Sequence, residues 1–267
     1  MNINRDKINI MPLMMGPLFD RETRPPLIYA DTESLVIQFQ SDKDAIQSLL
    51  PDCFRAGSDS SVRVVILDSQ GVSFMAGNGY RLASVQVAAR YDGDQDHLDG
   101  DYVLVMFENE TTPIITGREH LGIPKFYADI SGVRTMENGS LKCELSLWGH
   151  LLFGIEMAPL KSQNVLARKI ASRKSSQWPS FGYKYIASLD GPPDADYPTI
   201  MWNDVKVDQL WLGKKGSIYF GDADEGDIGY FKRVIDALKS LPVRKVTMTS
   251  RSRGSSILRY DKCRRIR

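Results

Sequence analysis

Alternation of apolar and polar residues is the feature that most constrains the fold of this chain. Residues 35–39, 62–67 and 81–90 alternate with a period of two, as expected for strands with one face covered. The same pattern predicts strands at residues 102–107, 141–147, 183–187, 200–207, 209–212, 217–220 and 245–249. Because clusters of turn residues separate these segments, the sequence favours an antiparallel barrel or sandwich.

Helical periodicity is confined to three places. It predicts helices within residues 42–50, 157–170 and 227–241, the last of which is followed by Pro242. Many strands and few helices indicate an α+β, mainly antiparallel β class. No repeat or composition shift divides the chain, so we expect one domain over residues 1–267.

Charge and cysteine content exclude several classes of protein. A net charge of +1 gives no overall field for nucleic acid or membrane lipid, which leaves a small molecule as the expected partner. Cys53, Cys143 and Cys263 lie far apart, so neither a zinc site nor a disulfide framework is expected. The first ten residues mix charges with apolar residues and do not resemble a signal peptide. A cytoplasmic location is the resulting expectation.

Lys125 is the residue whose surroundings suggest chemistry. It lies between Pro124 and Phe126 in an apolar stretch. Burial of a lysine lowers its pKa, and the free amine can then condense with a ketone to form a Schiff base. The alternative is a surface lysine whose stem packs over Phe126.

Other candidate sites have weaker patterns. His97, His120 and His150 lack metal-ligand spacing, so no metal is expected. Nucleotide-binding, serine-hydrolase and zinc-protease motifs are missing from the sequence. The aspartates of residues 92–99 are interpreted as a solvated hairpin tip. The basic C-terminal segment, residues 251–267, contains Ile257, Leu258 and Tyr260, which predicts that it packs on the body of the protein.

A family resemblance is carried by the segment around Lys125. Glu108-Asn109-Glu110, Gly117-Arg118-Glu119 and Pro124-Lys125 together resemble the active-site segment of the acetoacetate decarboxylase family. The resemblance implies a cone-like closed β-barrel or double sheet with a few peripheral helices, and assembly into a homo-oligomer. It also implies that Lys125 forms an imine with a keto acid, without a metal or organic cofactor.

The departures from the family pattern are equally informative. The second lysine of the decarboxylases is replaced by Phe126. Their arginine is missing from residues 30–34 at the start of the first strand, and their glutamate is missing near residues 80–82. This combination is similar to superfamily members that keep the lysine and use the imine for aldol condensation and dehydration.

The resemblance supplies candidate roles for the neighbouring residues. Such a cycle needs an acid/base group, for which Glu119 is the first candidate and Tyr260 the second, while Arg118 and Phe126 are the candidate substrate-binding residues. An ion pair for Glu119, a structural role for Arg118 and core packing for Tyr260 are the alternatives. The sequence therefore predicts a lyase, an aldolase-dehydratase acting on a pyruvate-like keto acid and an aldehyde. The alternatives are a β-keto acid decarboxylase and a barrel that binds a small ligand without turnover.

Overall fold

A computed structural model describes residues 3, 4 and 6–267. The prediction for the first ten residues involves residues 1, 2 and 5, which lie outside the described residues. The strands are β1 (Lys7–Ile8), β2 (Phe19–Asp20), β3 (Leu27–Gln40), β4 (Phe54–Ala56), β5 (Ser61–Val72), β6 (Tyr80–Asp92), β7 (His97–Glu108), β8 (Lys125–Tyr127), β9 (Asp129–Ile130), β10 (Arg134–Thr135), β11 (Leu141–Leu147), β12 (His150–Met157), β13 (Lys161–Ser162), β14 (Ser180–Ile186), β15 (Ala195–Met201), β16 (Asn203–Gly213), β17 (Gly216–Phe220), β18 (Lys245–Leu258) and β19 (Arg264–Arg265).

The helices are short and lie at the edges of the sheets. They are α1 (Lys43–Gln47), α2 (Thr111–Thr116), α3 (Val165–Gln177), α4 (Glu225–Ile228) and α5 (Phe231–Lys239). Single 3-10 turns occur at Leu13–Met15, Ser73–Met75 and Tyr260–Lys262, and a π-helical turn at Gly117–Leu121 follows α2 directly.

A twelve-stranded sheet forms most of the molecule. Its order is β13-β16-β18-β3-β5-β6-β7-β14-β15-β19, with β4 paired to β6 and β8 paired to β7. Most neighbours are antiparallel, but β7 pairs in parallel with both β14 and β8. Among the described strands the pairing leaves this sheet open, with β13 and β19 at its ends.

A five-stranded sheet covers one face of the large sheet. Its order is β10-β11-β12-β17, with β9 paired to β11. The main core contains buried residues of both sheets, including Ile37, Val64, Leu145 and Phe153, so the alternating faces predicted from sequence meet there.

A smaller apolar cluster includes side chains of β7 that lie outside the main core. Val103 belongs to it together with Leu121, Ile123 and Tyr260, and Met106 packs against it. Phe107, between Met106 and Glu108 in sequence, belongs to the main core instead. Strand β7 is therefore buried on both faces, which explains its nearly continuous apolar run.

The predicted fold class is confirmed: the structure is α+β and mainly antiparallel, with peripheral helices. The prediction named a closed barrel or a double sheet. The double sheet describes the architecture, because the large sheet stays open among the described strands. The C-terminal segment packs on the body as predicted, with Leu258 and Tyr260 both buried.

Three element predictions were wrong in detail. The helix expected within residues 157–170 starts at Val165, where Asn164 caps it by accepting a hydrogen bond from the Ala167 amide. The helix expected within residues 227–241 is divided into α4 and α5 by Gly229, whose φ of 56° ends the first helix. The strand expected at residues 200–207 is likewise divided, and its second part continues through a bulge after Val207 to form β16. Within residues 3, 4 and 6–267, no helix is long and apolar enough to span a bilayer.

Candidate active site

Sheet register brings Lys125 beside Glu108. Strand β8 runs parallel to β7, with Lys125 opposite Met106 and Tyr127 opposite Glu108. Since side chains alternate along a strand, Met106 and Glu108 share the face on which Lys125 lies. The carboxylate therefore reaches the amine diagonally across two neighbouring strands.

The ammonium end of Lys125 is held by two buried acceptors. Nζ donates to Glu108 Oε1 at 2.8 Å and to the carbonyl oxygen of Pro113 at 2.9 Å. Lys125 is 8% exposed and Glu108 is fully buried. The prediction that this lysine is buried is thus confirmed, and the alternative of a surface lysine is wrong.

Only one of the two carboxylate oxygens of Glu108 has a hydrogen-bond partner among the described residues. Its Oε1 accepts from Lys125, but its buried Oε2 has no hydrogen-bond partner among the described residues. Burial raises the pKa of Glu108, and the neighbouring Lys125 partly opposes this shift. The carboxyl group is therefore able to hold a proton in this site or to release one to a neighbour.

Two glycines make the approach of Lys125 sterically possible. A Cβ on Gly117 would lie 2.4 Å from Cε and 2.7 Å from Nζ of Lys125. At Gly122 the chain adopts a φ of 72°, which ends the π-helical turn and directs the backbone into β8. The conspicuous Gly117-Arg118-Glu119 motif thus contributes space for the lysine through its first residue.

A cavity of about 90 Å³ lies beside Lys125. Its walls are mostly apolar and include Leu18, Phe19, Leu27, Phe74, Leu121 and Leu258. The polar side chains that line it are Tyr29, Thr112, Thr116, Lys125 and Tyr260. Lys125 is the one charged side chain among the described residues of this lining.

Tyr29 and Tyr80 occupy the region where the resemblance implied an arginine and a glutamate. Tyr29, near the start of β3, lines the cavity, and the Tyr80 hydroxyl donates to the Tyr29 oxygen at 3.4 Å. Burial raises the pKa of Tyr29 to about 12. Both groups are therefore neutral phenols at neutral pH, and the buried carboxylate beside Lys125 is that of Glu108.

Tyr260 reaches the cavity from the C-terminal segment and is paired with His120. The Tyr260 hydroxyl and His120 Nδ1 share a hydrogen bond, and the two rings stack with centroids 5.1 Å apart. Burial lowers the pKa of His120 to about 4, and the cations Lys184, Arg24 and Arg21 add to this effect. Burial also raises the pKa of Tyr260. Both partners are therefore uncharged at neutral pH.

The other predicted site residues lie outside the cavity lining. The exposed Arg118 donates to the carbonyl oxygen of Lys125 at 2.9 Å and lies 5.5 Å from the Phe126 ring centroid. Phe126 packs against Phe107 and Phe231 in the main core. Glu119 is half-buried in the π-helical turn. The structure thus brings Lys125 and Tyr260 together, while the functional roles of Arg118, Glu119 and Phe126 stay predictions.

Sequence reasoning missed three residues of the site. Glu108 appeared only as part of a motif, although an acid ending an otherwise apolar strand was a usable signal. His120 was interpreted as a surface or hydrogen-bonded histidine without a named partner, and its pairing with Tyr260 spans 140 residues of sequence. Tyr29 is an aromatic residue in an alternating strand, a pattern that also fits a core position.

A second depression on the surface has a different character. This groove of about 510 Å³ is open and polar, and Tyr127, Asp129, Arg134 and Glu144 are among its lining residues. It does not contain Lys125, so we assign the candidate site to the smaller cavity. The described residues also hold no cluster of three or more His, Cys, Asp or Glu side chains that could bind a metal.

Comparisons with known proteins find relatives that match most of this chain. The family model described as acetoacetate decarboxylase matches residues 10–262. An acetoacetate decarboxylase of Clostridium botulinum is 23% identical over 235 residues, which are 85% of this chain and 84% of the relative. A second one, from Acidiphilium cryptum, is 22% identical over 233 residues, or 84% of this chain and 83% of the relative.

Solved structures are similar over nearly the whole chain. The acetoacetate decarboxylase of Legionella pneumophila has a TM-score of 0.73 at 22% identity and covers 95% of this chain and 92% of its own. The enduracididine biosynthesis enzyme MppR, in complex with pyruvate, has a TM-score of 0.69 at 15% identity, and the match covers 99% of this chain and 98% of MppR. MppR has also been solved with the condensation product of pyruvate and imidazole 4-carboxaldehyde, with a TM-score of 0.71, 15% identity and coverage of 99% and 97%. At these identities the likeness supports the fold.

Proposed function

This chain belongs to the acetoacetate decarboxylase family, and on that premise we propose that it is a Schiff-base carbon–carbon lyase of the aldolase-dehydratase type acting through Lys125. Enzymes of this family hold their substrate as an imine on a lysine and use no external cofactor. The observation that carries the proposal is the buried Lys125 beside a cavity, with Glu108 within 2.8 Å of Nζ.

Imine formation needs a proton donor and an uncharged amine. Glu108 Oε1 lies 2.8 Å from Nζ and is placed to accept a proton from it, and this transfer gives Nζ the free lone pair that the step needs. Nζ then adds to the carbonyl carbon of the substrate. Glu108 then donates its proton to the hydroxyl group of the carbinolamine. The hydroxyl group leaves as one water molecule, which gives the protonated imine.

Glu108, now a carboxylate, lies behind the cavity lining and 2.8 Å from Nζ, and it is the proposed base that removes a proton from the carbon next to the protonated imine. The resulting enamine attacks an aldehyde, and the new alkoxide receives the proton that Glu108 took up. The Tyr260 hydroxyl is the candidate hydrogen-bond donor to this oxygen, because it lines the same cavity. Loss of water and hydrolysis of the imine release the unsaturated product, so ketone plus aldehyde give product plus water.

Two lines of support favour aldol chemistry over decarboxylation. The arginine and the glutamate that the resemblance associates with decarboxylation are missing from residues 30–34 and 80–82, and the nearby Tyr29 and Tyr80 are uncharged. MppR, which has the same fold, binds pyruvate and a condensation product of pyruvate with an aldehyde. A pyruvate-like keto acid is therefore the substrate that the comparison suggests.

Decarboxylation of a β-keto acid is the second candidate. It is favoured by the curated relatives, which are acetoacetate decarboxylases at 22–23% identity. Release of carbon dioxide from acetoacetate would identify it, whereas aldol chemistry would give a conjugated product from a ketone and an aldehyde.

Reductive trapping tests the imine directly. The protein is incubated with acetone, acetaldehyde, pyruvate or acetoacetate in the presence of cyanoborohydride, and the modified peptide is mapped by mass spectrometry. We expect one reduced adduct on Lys125 in the wild type and none in Lys125→Met. Equal labelling of both proteins, or no labelling of the wild type by any of the four compounds, would contradict the proposal and favour a non-catalytic binding protein.

A further inference from the structure

We infer that the carbonyl substrate of this site is small and uncharged, a ketone or aldehyde that carries no carboxylate. The inference rests on the proposed imine at Lys125 and concerns the same cavity. It departs from the keto acid suggested by the sequence and by the comparison, and it rests on three properties of the site: its charge, the unpaired oxygen of Glu108, and the size and polarity of the cavity.

The first property is the charge balance beside the imine. A protonated imine on Lys125 carries one positive charge, and the carboxylate of Glu108, fully buried behind it, carries one negative charge. These charges cancel when the bound substrate is neutral. A substrate carboxylate would add a negative charge with no cation left to pair with it among the described lining residues. An unpaired buried carboxylate is strongly disfavoured.

The cations nearest this region, among them Arg21 and Lys184 beside His120, do not line the cavity. Arg118 donates to the backbone carbonyl of Lys125 on the exposed side of the segment, and Arg24 donates to the carbonyl of Cys263 at 3.0 Å. Neither arginine lines the cavity. The polar groups that do line it beside Lys125 are the hydroxyls of Tyr29, Thr112, Thr116 and Tyr260, which suit a carbonyl or hydroxyl oxygen.

The second property is the free oxygen of Glu108. A keto acid could restore the charge balance only if Glu108 were protonated, with its unpaired Oε2 serving as the donor. Binding of a keto acid would then consume one proton, and the neutral acid could no longer remove a proton from the substrate. A neutral carbonyl compound leaves the carboxylate free for that step.

The third property is the size and polarity of the cavity. By proportion to a 150 Å³ cavity that holds benzene, a cavity of about 90 Å³ accommodates about four non-hydrogen atoms. Acetone fits this size, and pyruvate exceeds it. Half-buried Leu18, Phe19, Leu27 and Phe74 form part of the wall, so the space beside the reacting carbon favours methyl groups over charged oxygens.

A matched pair of probes separates charge from size. Pyruvamide and pyruvate have the same number of non-hydrogen atoms and differ in charge. Each is trapped on the full-length protein with cyanoborohydride at pH 7, and each rate is divided by the rate of the same probe with a free lysine derivative. We expect normalised labelling of Lys125 by pyruvamide to exceed that by pyruvate at least tenfold, with acetone faster still.

The variant Glu108→Gln provides a second and independent readout. It removes the buried negative charge with little change of shape, so labelling by pyruvate relative to pyruvamide should rise at least tenfold. Faster or equal labelling by pyruvate in the wild type would overturn this inference and leave the imine at Lys125 intact. An unchanged ratio in Glu108→Gln would also overturn it, because the carboxylate would then have no part in rejecting the anion. Failure of every probe to label the wild type would instead refute the proposed function, and the inference with it.

Discussion

The buried pair Lys125–Glu108 and the surface pair Arg264–Asp96 use the same kinds of charged group with opposite results. Asp96 accepts hydrogen bonds from two nitrogens of the exposed Arg264, at 2.6 and 2.9 Å, and from the Arg267 amide. These donors hold the pKa of Asp96 at about 2. Glu108 has a single donor, and burial raises its pKa.

The number of hydrogen-bond donors and the access of solvent decide whether an ion pair fixes its carboxylate as an anion or allows it to exchange a proton. At the surface, three donors fix Asp96 as a permanent anion that ties the hairpin between β6 and β7 to the C-terminal segment. In the site, one donor and full burial raise the pKa of Glu108 above its ordinary value. The first pair is suited to structure and the second to proton transfer.

The largest expected effect comes from removing one member of each pair. Glu108→Ala leaves Lys125 buried with the neutral Pro113 carbonyl in place of a charged partner, and we expect the free energy of unfolding to fall by about 3–5 kcal/mol. Asp96→Ala, as the matched surface change, should lower it by about 1 kcal/mol or less. Urea unfolding at pH 7 measures both values.

The double variant Lys125→Met/Glu108→Leu is the control for this comparison. It replaces the buried pair by apolar side chains and should recover most of the stability that Glu108→Ala loses. Equal losses for Glu108→Ala and Asp96→Ala would mean that water reaches the internal pair, and the contrast between the two pairs would fail.

A smaller effect is expected from filling the space that Lys125 occupies. In Gly117→Ala the new methyl group would lie within 2.4 Å of the lysine stem, so the side chain must move away from Glu108. We expect a loss of about 2 kcal/mol in unfolding free energy and trapping of the imine at least tenfold slower than in the wild type. Gly132→Ala is the control, because its nearest neighbour, Nη2 of Arg81, is 3.6 Å from the added Cβ. Normal trapping in Gly117→Ala would show that the position of the lysine does not depend on this contact.

The smallest effect concerns His120, a second buried titrating group of the site. Its pKa is lowered from 6.5 to about 4, so the unfolded chain binds this proton more readily than the folded protein does. The associated stability is present above pH 6.5 and is lost as the pH falls toward 4. Allowing for partial exposure, the loss between pH 7 and pH 5 should be about 1–2 kcal/mol.

The variant His120→Asn isolates this contribution from other titrating groups. Its unfolding free energy should depend less on pH than that of the wild type over the same range. Parallel stability curves for the two proteins would show that His120 is solvated in the folded state.

Strands with one solvated face were predictable from sequence, and strands buried on both faces were harder to interpret. Alternation located β11 and β17 within a residue of their observed bounds, because one face of each packs on the core, through buried side chains in β11 and through half-buried Ile218 and Phe220 in β17. The divisions at Gly229 and after Met201 depend on local backbone conformation, which periodicity does not report. Both parallel partners of β7 follow from tertiary packing and have no local signal.

The candidate site was predictable only where its chemistry is local in sequence. Lys125 was identified from its apolar neighbours and from a motif of fewer than twenty residues. Glu108 was harder to assign, since its role depends on the face of β7 that it occupies. The contact between Tyr260 and His120 joins the C-terminal segment to the π-helical turn, and only the folded chain brings them together.

The parallel pairing of β8 with β7 has a consequence for how the family can vary. The nucleophile and its carboxylate are fixed by two adjacent strands, and the connection between them passes through α2 and the π-helical turn. Insertions in that connection would leave the reacting groups in place only if they kept Pro113 and Gly117 against Lys125. A shift of β8 by a single residue would exchange the faces, placing Phe126 in the cavity and the amine in the main core. The connection can therefore vary in length only where it does not contact Lys125, whereas the register of Lys125, Phe126 and Tyr127 on β7 is fixed.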